Sequence, residues 1–324
     1  MTGAPRRALI CGISGQDGAY LAQLLLDKGY AVTGTSRDVQ ATSCQNMARL
    51  GILERVRLES MATHDARSVQ GVLQRTEADE IYNLSGQSSV GLSFERPGET
   101  LDSIITGSLN LLEGIRVLGR PVRFFSAGSG EIFGETGAAG GSEGDPLQPR
   151  SPYAVAKAAA FWLVANYREA YGLHASTGIL FNHESPLRPV RFVTRKIIAA
   201  ACRIARGSGE KLTLGNLGIR RDWGWAPDYV EAMWRMAQQD APADFVIATG
   251  EANSLEDFVH EAFAAVGLDW RQHTEVSRSL YRPTDIAECR GNPQRIGGIL
   301  GWQAQQRMRD VVALMVRAEL DGAA

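Results

Sequence analysis

The segment RRALICGISGQDGAYLAQLLLDKGYAVTGTSRD, residues 6–38, constrains the fold more than any other part of this 324-residue chain. A short apolar run at residues 8–11 reads as a strand. Gly12, Gly15 and Gly18 then follow in a GxxGxxG spacing, and Tyr20, Leu21, Leu24 and Leu25 recur at helical intervals. Gly29 fits the helix end, and residues 31–35 read as a second strand. A strand, a glycine turn and a helix in this order suit a phosphate-bearing ligand. One glycine permits the tight turn, one lets the backbone approach a pyrophosphate, and one lets helix and strand pack closely. The first turn of the helix adds unpaired N–H groups and a positive dipole end. The plain alternative is a glycine-rich structural turn.

The alternation continues. RVRLES, EIYNLSG, VRFFSAG and HASTGILFN read as strands. DARSVQGVLQRT, TGSLNLLEGIRVLG and SPYAVAKAAAFWLVANYREAYG read as helices, the first with Asp65 as its cap. This pattern predicts an α/β fold with a Rossmann-type doubly wound parallel sheet. After Asn182 the pattern loosens, and HESPLRPVRFVTRK reads as a polar loop. A smaller mixed α/β C-terminal substrate domain is therefore expected. The expected division is a dinucleotide-binding domain over residues 1–180 plus about 219–250, and a substrate domain over 181–218 and 251–324. The glycine- and proline-rich ETGAAGGSEGDPLQPRSP is expected to form a flexible border to the site.

Composition removes several function classes. The net charge of −2 leaves no basic surplus for nucleic acid. Cys11, Cys44, Cys202 and Cys289 are widely spread, with no CxxC or Cys/His cluster, so no metal site is expected and the thiols suit a cytoplasmic protein. No run reaches the ~18 apolar residues of a membrane span. The start of the chain, MTGAPRRALICGISG, lacks the apolar stretch of a signal peptide.

Two further stretches carry chemistry. The second strand ends Thr35, Ser36, Arg37, where NAD enzymes commonly place a carboxylate for the ribose 2′-hydroxyl. Arg37 suits a 2′-phosphate, so NADP is the expected cofactor, although Asp38 follows directly. In SPYAVAKAA, Tyr153 and Lys157 lie four apart and share one helix face. A free tyrosine, with pKa about 10, is a weak base; a neighbouring ammonium favours its phenolate. The alternative for both is a solvated helix face.

With these features in place, the chain resembles the extended short-chain dehydrogenase/reductases that act on nucleotide sugars. More narrowly, ICGISGQDGAYLAQLLL, YNLSGQSSVG, RSPYAVAKAAAFWLVANYREAYGLHAS, GILFNHESP, FVTRKI, LGNLGIRRDWGWAPDYVEAMW and YRPTDI are similar to GDP-mannose 4,6-dehydratases. The resemblance covers nearly the whole chain. It implies removal of water from a GDP-sugar without net redox, giving GDP-4-keto-6-deoxy-mannose. Ser129, Glu131, Tyr153 and Lys157 are the implied catalytic set, with Glu131 as the base at C5. The implied cofactor shell is Gly12, Gly15, Gln16, Asp17, Gly18, Arg37, Asp65 and Leu84 together with Tyr153 and Lys157. The implied substrate contacts are Ser88, Asn182, Val193, Lys196, Arg221, Arg282 and Asp285. A homodimer or homotetramer is implied as well, with AAFWLVANYREAYG as part of an interface.

The sequence departs from the family in two places. Gly130 stands where the family carries Ser and related dehydratases carry Asp, so no side chain there can donate a proton. Near Ala62 the aspartate that usually meets adenine is absent. Two other readings stay open. One is an NADPH-dependent reductase of a 4-keto-6-deoxy nucleotide sugar, using Ser129, Tyr153 and Lys157. The other is a non-catalytic nucleotide-binding sensor on the same fold.

Overall fold

The computed structural model describes residues 4–322; residues 1–3 and 323–324, the outer ends of the two expected domains, lie outside the described residues. The chain divides into two compact units. The first takes in the described residues up to Ile132, Ser151–Ile179 and Val230–Phe245. The second takes in Phe133–Arg150, Leu180–Tyr229 and the described residues from Val246 onward.

In chain order the first part runs β1 (Arg7–Cys11), α1 (Gln16–Asp27), β2 (Ala31–Ser36), α2 (Gln45–Arg49), β3 (Arg57–Ser60), α3 (Ala66–Thr76) and β4 (Glu80–Asn83). It continues through α4 (Val90–Glu95), α5 (Pro97–Leu101), α6 (Gly107–Leu118), β5 (Arg123–Ala127), α7 (Pro152–Tyr171) and β6 (His174–Leu180). Strands β3-β2-β1-β4-β5-β6 pair in that order, every neighbouring pair parallel. The order reverses at β1, where the chain returns to begin β4 on its other side. A ligand crevice lies outside the carboxyl ends of the strands at such a point. The strands are apolar on both faces, as helix-covered parallel strands must be; Leu9, Ile10, Ile81, Phe124 and Phe125 are all buried. Each buried aromatic or large aliphatic side chain contributes roughly 1.5–3 kcal/mol of apolar burial.

Asp65 caps α3 by accepting the Arg67 N–H at 2.9 Å, and Ser151 caps α7 by accepting the Ala154 N–H at 3.1 Å. Pro152 follows in the first turn of α7, where a missing N–H costs nothing. Gly172, left-handed at φ 66°, ends the helix.

Past residue 180 the chain forms β7 (Asn182–Glu184), α8 (Val193–Ala205), β8 (Leu212–Leu214), β9 (Arg220–Arg221), β10 (Trp223–Trp225), α9 (Ala226–Ala237) and β11 (Phe245–Ile247). The remainder is β12 (Asn253–Ser254), α10 (Leu255–Ala264), β13 (Thr274–Val276), β14 (Glu288–Cys289), α11 (Gln294–Leu300) and α12 (Met308–Leu320). β11 adds to the seven-stranded sheet beside β6. In the second unit β10 pairs with β7, β9 lies between β12 and β14, and β13 pairs with β8. Helices α8, α10 and α12 pack together around Ile198, Cys202, Phe258, Phe263, Val312 and Met315.

Three expectations change. The run 174–182 is not one strand: β6 stops at Leu180 and Asn182 opens β7, which pairs in a separate sheet. The stretch 183–196 is not all loop, because α8 starts at Val193, just beyond the turn at Pro189. The glycine-rich border is pinned rather than loose. Within it the Glu135 carboxylate accepts from the Ala287 and Glu288 N–H groups, and Gly141 bridges to Gly291. Glycine content here serves close backbone approach, since a Cβ on Gly140 would sit 3.0 Å from the Gly291 carbonyl.

The glycine turn makes a testable claim about packing. A Cβ on Gly18 would lie 2.4 Å from the Gly12 carbonyl oxygen, while Gly98 has nothing within 4 Å. Gly18→Ala is expected to lower stability by about 1–3 kcal/mol and Gly98→Ala to leave it within about 0.5 kcal/mol, by denaturant melts.

Candidate active site

The first unit gathers its chemistry at the carboxyl ends of β1, β4 and β5. Gly12 follows β1 at φ 90°, and a Cβ there would meet the Leu84 carbonyl oxygen at 2.7 Å. Only glycine fits both demands. Leu84 itself donates its N–H to Cys11 O at 3.0 Å, prolonging the β1–β4 ladder. Gly15 is the N-cap of α1 and offers no side-chain cap, and a helix N-terminus of this kind favours an anion through its dipole. Gln16 is buried and donates to the Asp17 carboxylate at 3.0 Å, while Asn46 of α2 donates to Ser14 O at 3.0 Å and steadies the turn from outside.

At the end of β2, Arg37 is exposed. The neighbouring Asp38 carboxylate turns back to accept from the Gln40 and Ala41 N–H groups at 2.9 and 3.3 Å. The Ser36 and Thr42 hydroxyls bond to each other. Asp65 is exposed at the α3 cap, and Ser88 is exposed in the turn before α4, whose cap is Ser89.

Tyr153 and Lys157 stand one turn apart on α7, both buried. The Lys157 Nζ lies 5.8 Å from the Tyr153 ring centre and donates to Ala127 O at 2.7 Å. Ala127 is the last residue of β5, two before Ser129. The chain then turns through Gly128, where a Cβ would lie 2.7 Å from Thr177 and 3.0 Å from the Gly178 carbonyl oxygen. Ser129 is buried, and its Oγ accepts the Glu131 N–H at 3.3 Å. That bond uses an acceptor of the hydroxyl and leaves its proton to be given elsewhere. Glu131 is half-buried in the short turn Gly130–Phe133. Ser129, Glu131, Tyr153 and Lys157 are thus carried by two elements joined through the Lys157 ammonium. Burial pushes the Lys157 pKa down to about 8, against a partial upward pull from the Asp17 charge.

A groove of about 1160 Å³ is at the other end of the strands, lined by Arg7, Asp79, Arg123 and His174 among others. It has none of the side chains described above and lies away from the carboxyl ends of the strands, where α/β sheets bind ligands.

The second unit holds most of the expected substrate residues. Asn182 opens β7 opposite Trp223 of β10. Arg221 is buried; its Nη1 donates to Ile286 O at 2.8 Å and its Nη2 lies 3.4 Å from the Asp285 carboxylate. The fold therefore joins Arg221 and Asp285. Arg282 is half-buried in the same segment. Val193 packs at the start of α8, and Lys196, exposed, donates to Thr213 O at 2.8 Å.

The family described as GDP-mannose 4,6 dehydratase matches residues 9–315. The chain belongs to the GDP-mannose 4,6-dehydratase family. It is 44% identical to GDP-mannose 4,6 dehydratase 1 of Arabidopsis thaliana, over 98% of this chain and 91% of that protein. It is 43% identical to the GDP-mannose 4,6-dehydratase of Sinorhizobium fredii, over 97% of this chain and 96% of that one. In fold it resembles the UDP-glucose 4-epimerase of Thermus thermophilus, solved in complex with NAD, with a TM-score of 0.86 at 23% identity over 98% and 100% of the two chains.

Sequence reasoning missed two charged groups that this family member buries. Arg195, beside the expected Lys196, pairs with Glu319 at 2.6 Å. Asp222, beside the expected Arg221, is fully buried and accepts from Thr249, Gly250 and Gly291. The available signal was an aspartate set between Arg221 and the apolar Trp223 in RDWG.

The buried Lys157 sets a pH dependence. Its folded-state pKa is below the ordinary 10.5, so the linked stability is present above that value and lost as pH falls through about 8. Lys157→Met removes the titrating group. The stability of the unmodified protein relative to Lys157→Met is expected to rise between pH 8 and 10.5, by up to roughly 3 kcal/mol in melts at fixed ionic strength. A flat difference across that interval contradicts a desolvated ammonium.

Proposed function

We propose that this protein dehydrates GDP-mannose to GDP-4-keto-6-deoxy-mannose, using NADP held by the first unit. The observation that carries the reading is the Lys157–Ala127 bond, which links the Tyr153 helix to the strand end bearing Ser129 and Glu131. The residues fit a dinucleotide. The glycine turn is a cradle that a Cβ at Gly12 or Gly18 would fill, and it opens onto the N-terminus of α1. Gln16 and Asp17 would stand beside the phosphates, with Leu84 and Asp65 further along the cofactor. NADP is favoured over NAD because Arg37 is exposed while Asp38 is engaged by its own loop.

A nicotinamide cofactor held on the glycine turn beside Gln16 and Asp17 would supply reversible hydride transfer, from the sugar C4 and back to C6. The protein supplies the protons. Tyr153, held as phenolate by the Lys157 ammonium, accepts the O4 proton, and the Ser129 hydroxyl orients O4. The C4 ketone that results acidifies the C5 hydrogen. Glu131 removes it as a proton and passes a proton to the departing C6 hydroxyl, which leaves as water; once C6 has taken up hydride, C5 takes a proton that originates from solvent. Gly130 has no side chain to share that work, so both transfers fall to Glu131. The GDP moiety is assigned to Asn182, Arg221 and Arg282 at the diphosphate, and to Val193, Lys196 and Asp285 at the nucleoside, with Ser88 on the sugar. None of the four cysteines is in a disulfide, which suits a cytoplasmic enzyme. Val155 and Trp162, both exposed on α7 one heptad apart, suit pairing with a second copy of the chain as a homodimer or homotetramer.

Two measurements test the reading. With GDP-mannose and no added NADPH, the protein is expected to release the 4-keto-6-deoxy product. No conversion, with NADPH oxidised once the keto sugar is supplied, would identify a reductase instead. Glu131→Gln is expected to slow water elimination by about 100-fold or more while the absorbance of reduced nicotinamide still develops. Full dehydration by this variant would remove Glu131 from its role.

A further inference from the structure

Resting on that reading, we infer that Asp222 is the positioning residue that sets the substrate-binding strands of the second unit against one another. Asp222 stands between β9 and β10, and its two neighbours serve different sheets. On one side Arg221 ends β9, paired with Cys289 of β14 and Asn253 of β12. On the other side Trp223 opens β10, paired with Asn182 of β7. Two of the three residues assigned to the diphosphate, Asn182 and Arg221, thus come from separate sheets, and the one residue between β9 and β10 along the chain is Asp222.

Its carboxylate is fully buried and gathers four donors from two other segments. Oδ1 accepts the Thr249 N–H at 2.9 Å and the Thr249 hydroxyl at 2.7 Å. Oδ2 accepts the Gly250 N–H at 2.9 Å and the Gly291 N–H at 3.3 Å. The Asp222 N–H donates to Cys289 O at 3.1 Å. The donor segments are shaped for this. Gly250 is left-handed at φ 85°, and a Cβ on Gly291 would lie 2.3 Å from the Ala248 Cβ and 2.8 Å from the Phe181 ring. Phe181 is the residue before Asn182, so the Asp222–Gly291 contact also braces the chain that presents Asn182.

The donors are all N–H or O–H groups, so the site requires an acceptor with two oxygens. An amide keeps the size but turns an N–H₂ toward donors, leaving at least one of them unpaired in a buried place. Burial pushes the Asp222 pKa up to about 6, while the bonds from Thr249, Gly250 and Gly291 draw it back down.

The test is the binding of GDP and of NADPH, by calorimetry, to the full-length protein, Asp222→Asn and Thr249→Val. Thr249→Val is the milder change: it removes one of the four donors to Asp222, together with the oxygen that accepts the Glu251 N–H at 3.1 Å, and leaves the carboxylate in place. Asp222→Asn is expected to weaken GDP binding on the order of 10- to 100-fold and to raise KM for GDP-mannose more than it lowers kcat. Thr249→Val is expected to show a smaller loss in the same direction, and both variants should bind NADPH as the unmodified protein does. A protein that is merely loosened would lose NADPH affinity and kcat in step, which overturns the positioning role. So would unchanged GDP affinity in folded Asp222→Asn, or in Thr249→Val should Asp222→Asn fail to fold. Unmodified protein that binds no GDP would instead overturn the reading on which the inference rests.

Discussion

The bond from the Lys157 ammonium to the Ala127 carbonyl is the contact around which the rest of the proposed site is arranged. A buried ammonium is expensive unless its protons are taken, and here the end of β5 takes one. That requirement fixes α7 against the strand that leads into Ser129 and Glu131. It also keeps a positive charge near the Tyr153 ring, where a phenolate would form. The same side chain thus sets geometry and electrostatics together. Its depressed pKa is the thermodynamic mark of that burial.

A comparable constraint operates in the second unit, with the sign of charge reversed. There a buried carboxylate, Asp222, collects N–H and O–H donors from two segments. In both places backbone groups hold a buried ionisable side chain: one carbonyl for Lys157, and three N–H groups beside the Thr249 hydroxyl for Asp222. Backbone partners cannot change rotamer, so such contacts hold strands at fixed spacing. Short strands of two or three residues, as in β7, β9 and β10, have little pairing of their own to fix position. They depend on such anchors.

Much of the fold was legible in the sequence because the sheet is built from local signals. The apolar run before Gly12, the Asp65 cap and the left-handed Gly29 each specify their own few residues. The break between β6 and β7 was not legible. Phe181 continues the apolar run, and only its long-range bond to Ile247 O shows where the chain turns away. The pinned border was hidden for a related reason. Glycine signals freedom locally, whereas Gly140 and Gly141 are there for close contact with Gly291, a partner 150 residues further on. Tyr153 and Lys157 could be read from spacing, but the carbonyl that holds Lys157 could not. Asp222 was passed over because sequence alone gives no burial, and an aspartate after two arginines reads as surface charge.

What separates the proposed dehydratase from a reductase on the same fold is a carboxylate two residues after the serine hydroxyl, with no side chain between them. If Glu131 performs elimination while hydride stays within the site, the hydrogen that leaves C4 reappears at C6 of the same sugar. The direct measurement is a turnover of GDP-mannose deuterated at C4, mixed with unlabelled GDP-mannose. The account predicts deuterium at C6 of product molecules that began labelled, and solvent-derived hydrogen at C5. Deuterium lost to a pool of added cofactor, or scattered onto unlabelled sugars, would contradict it.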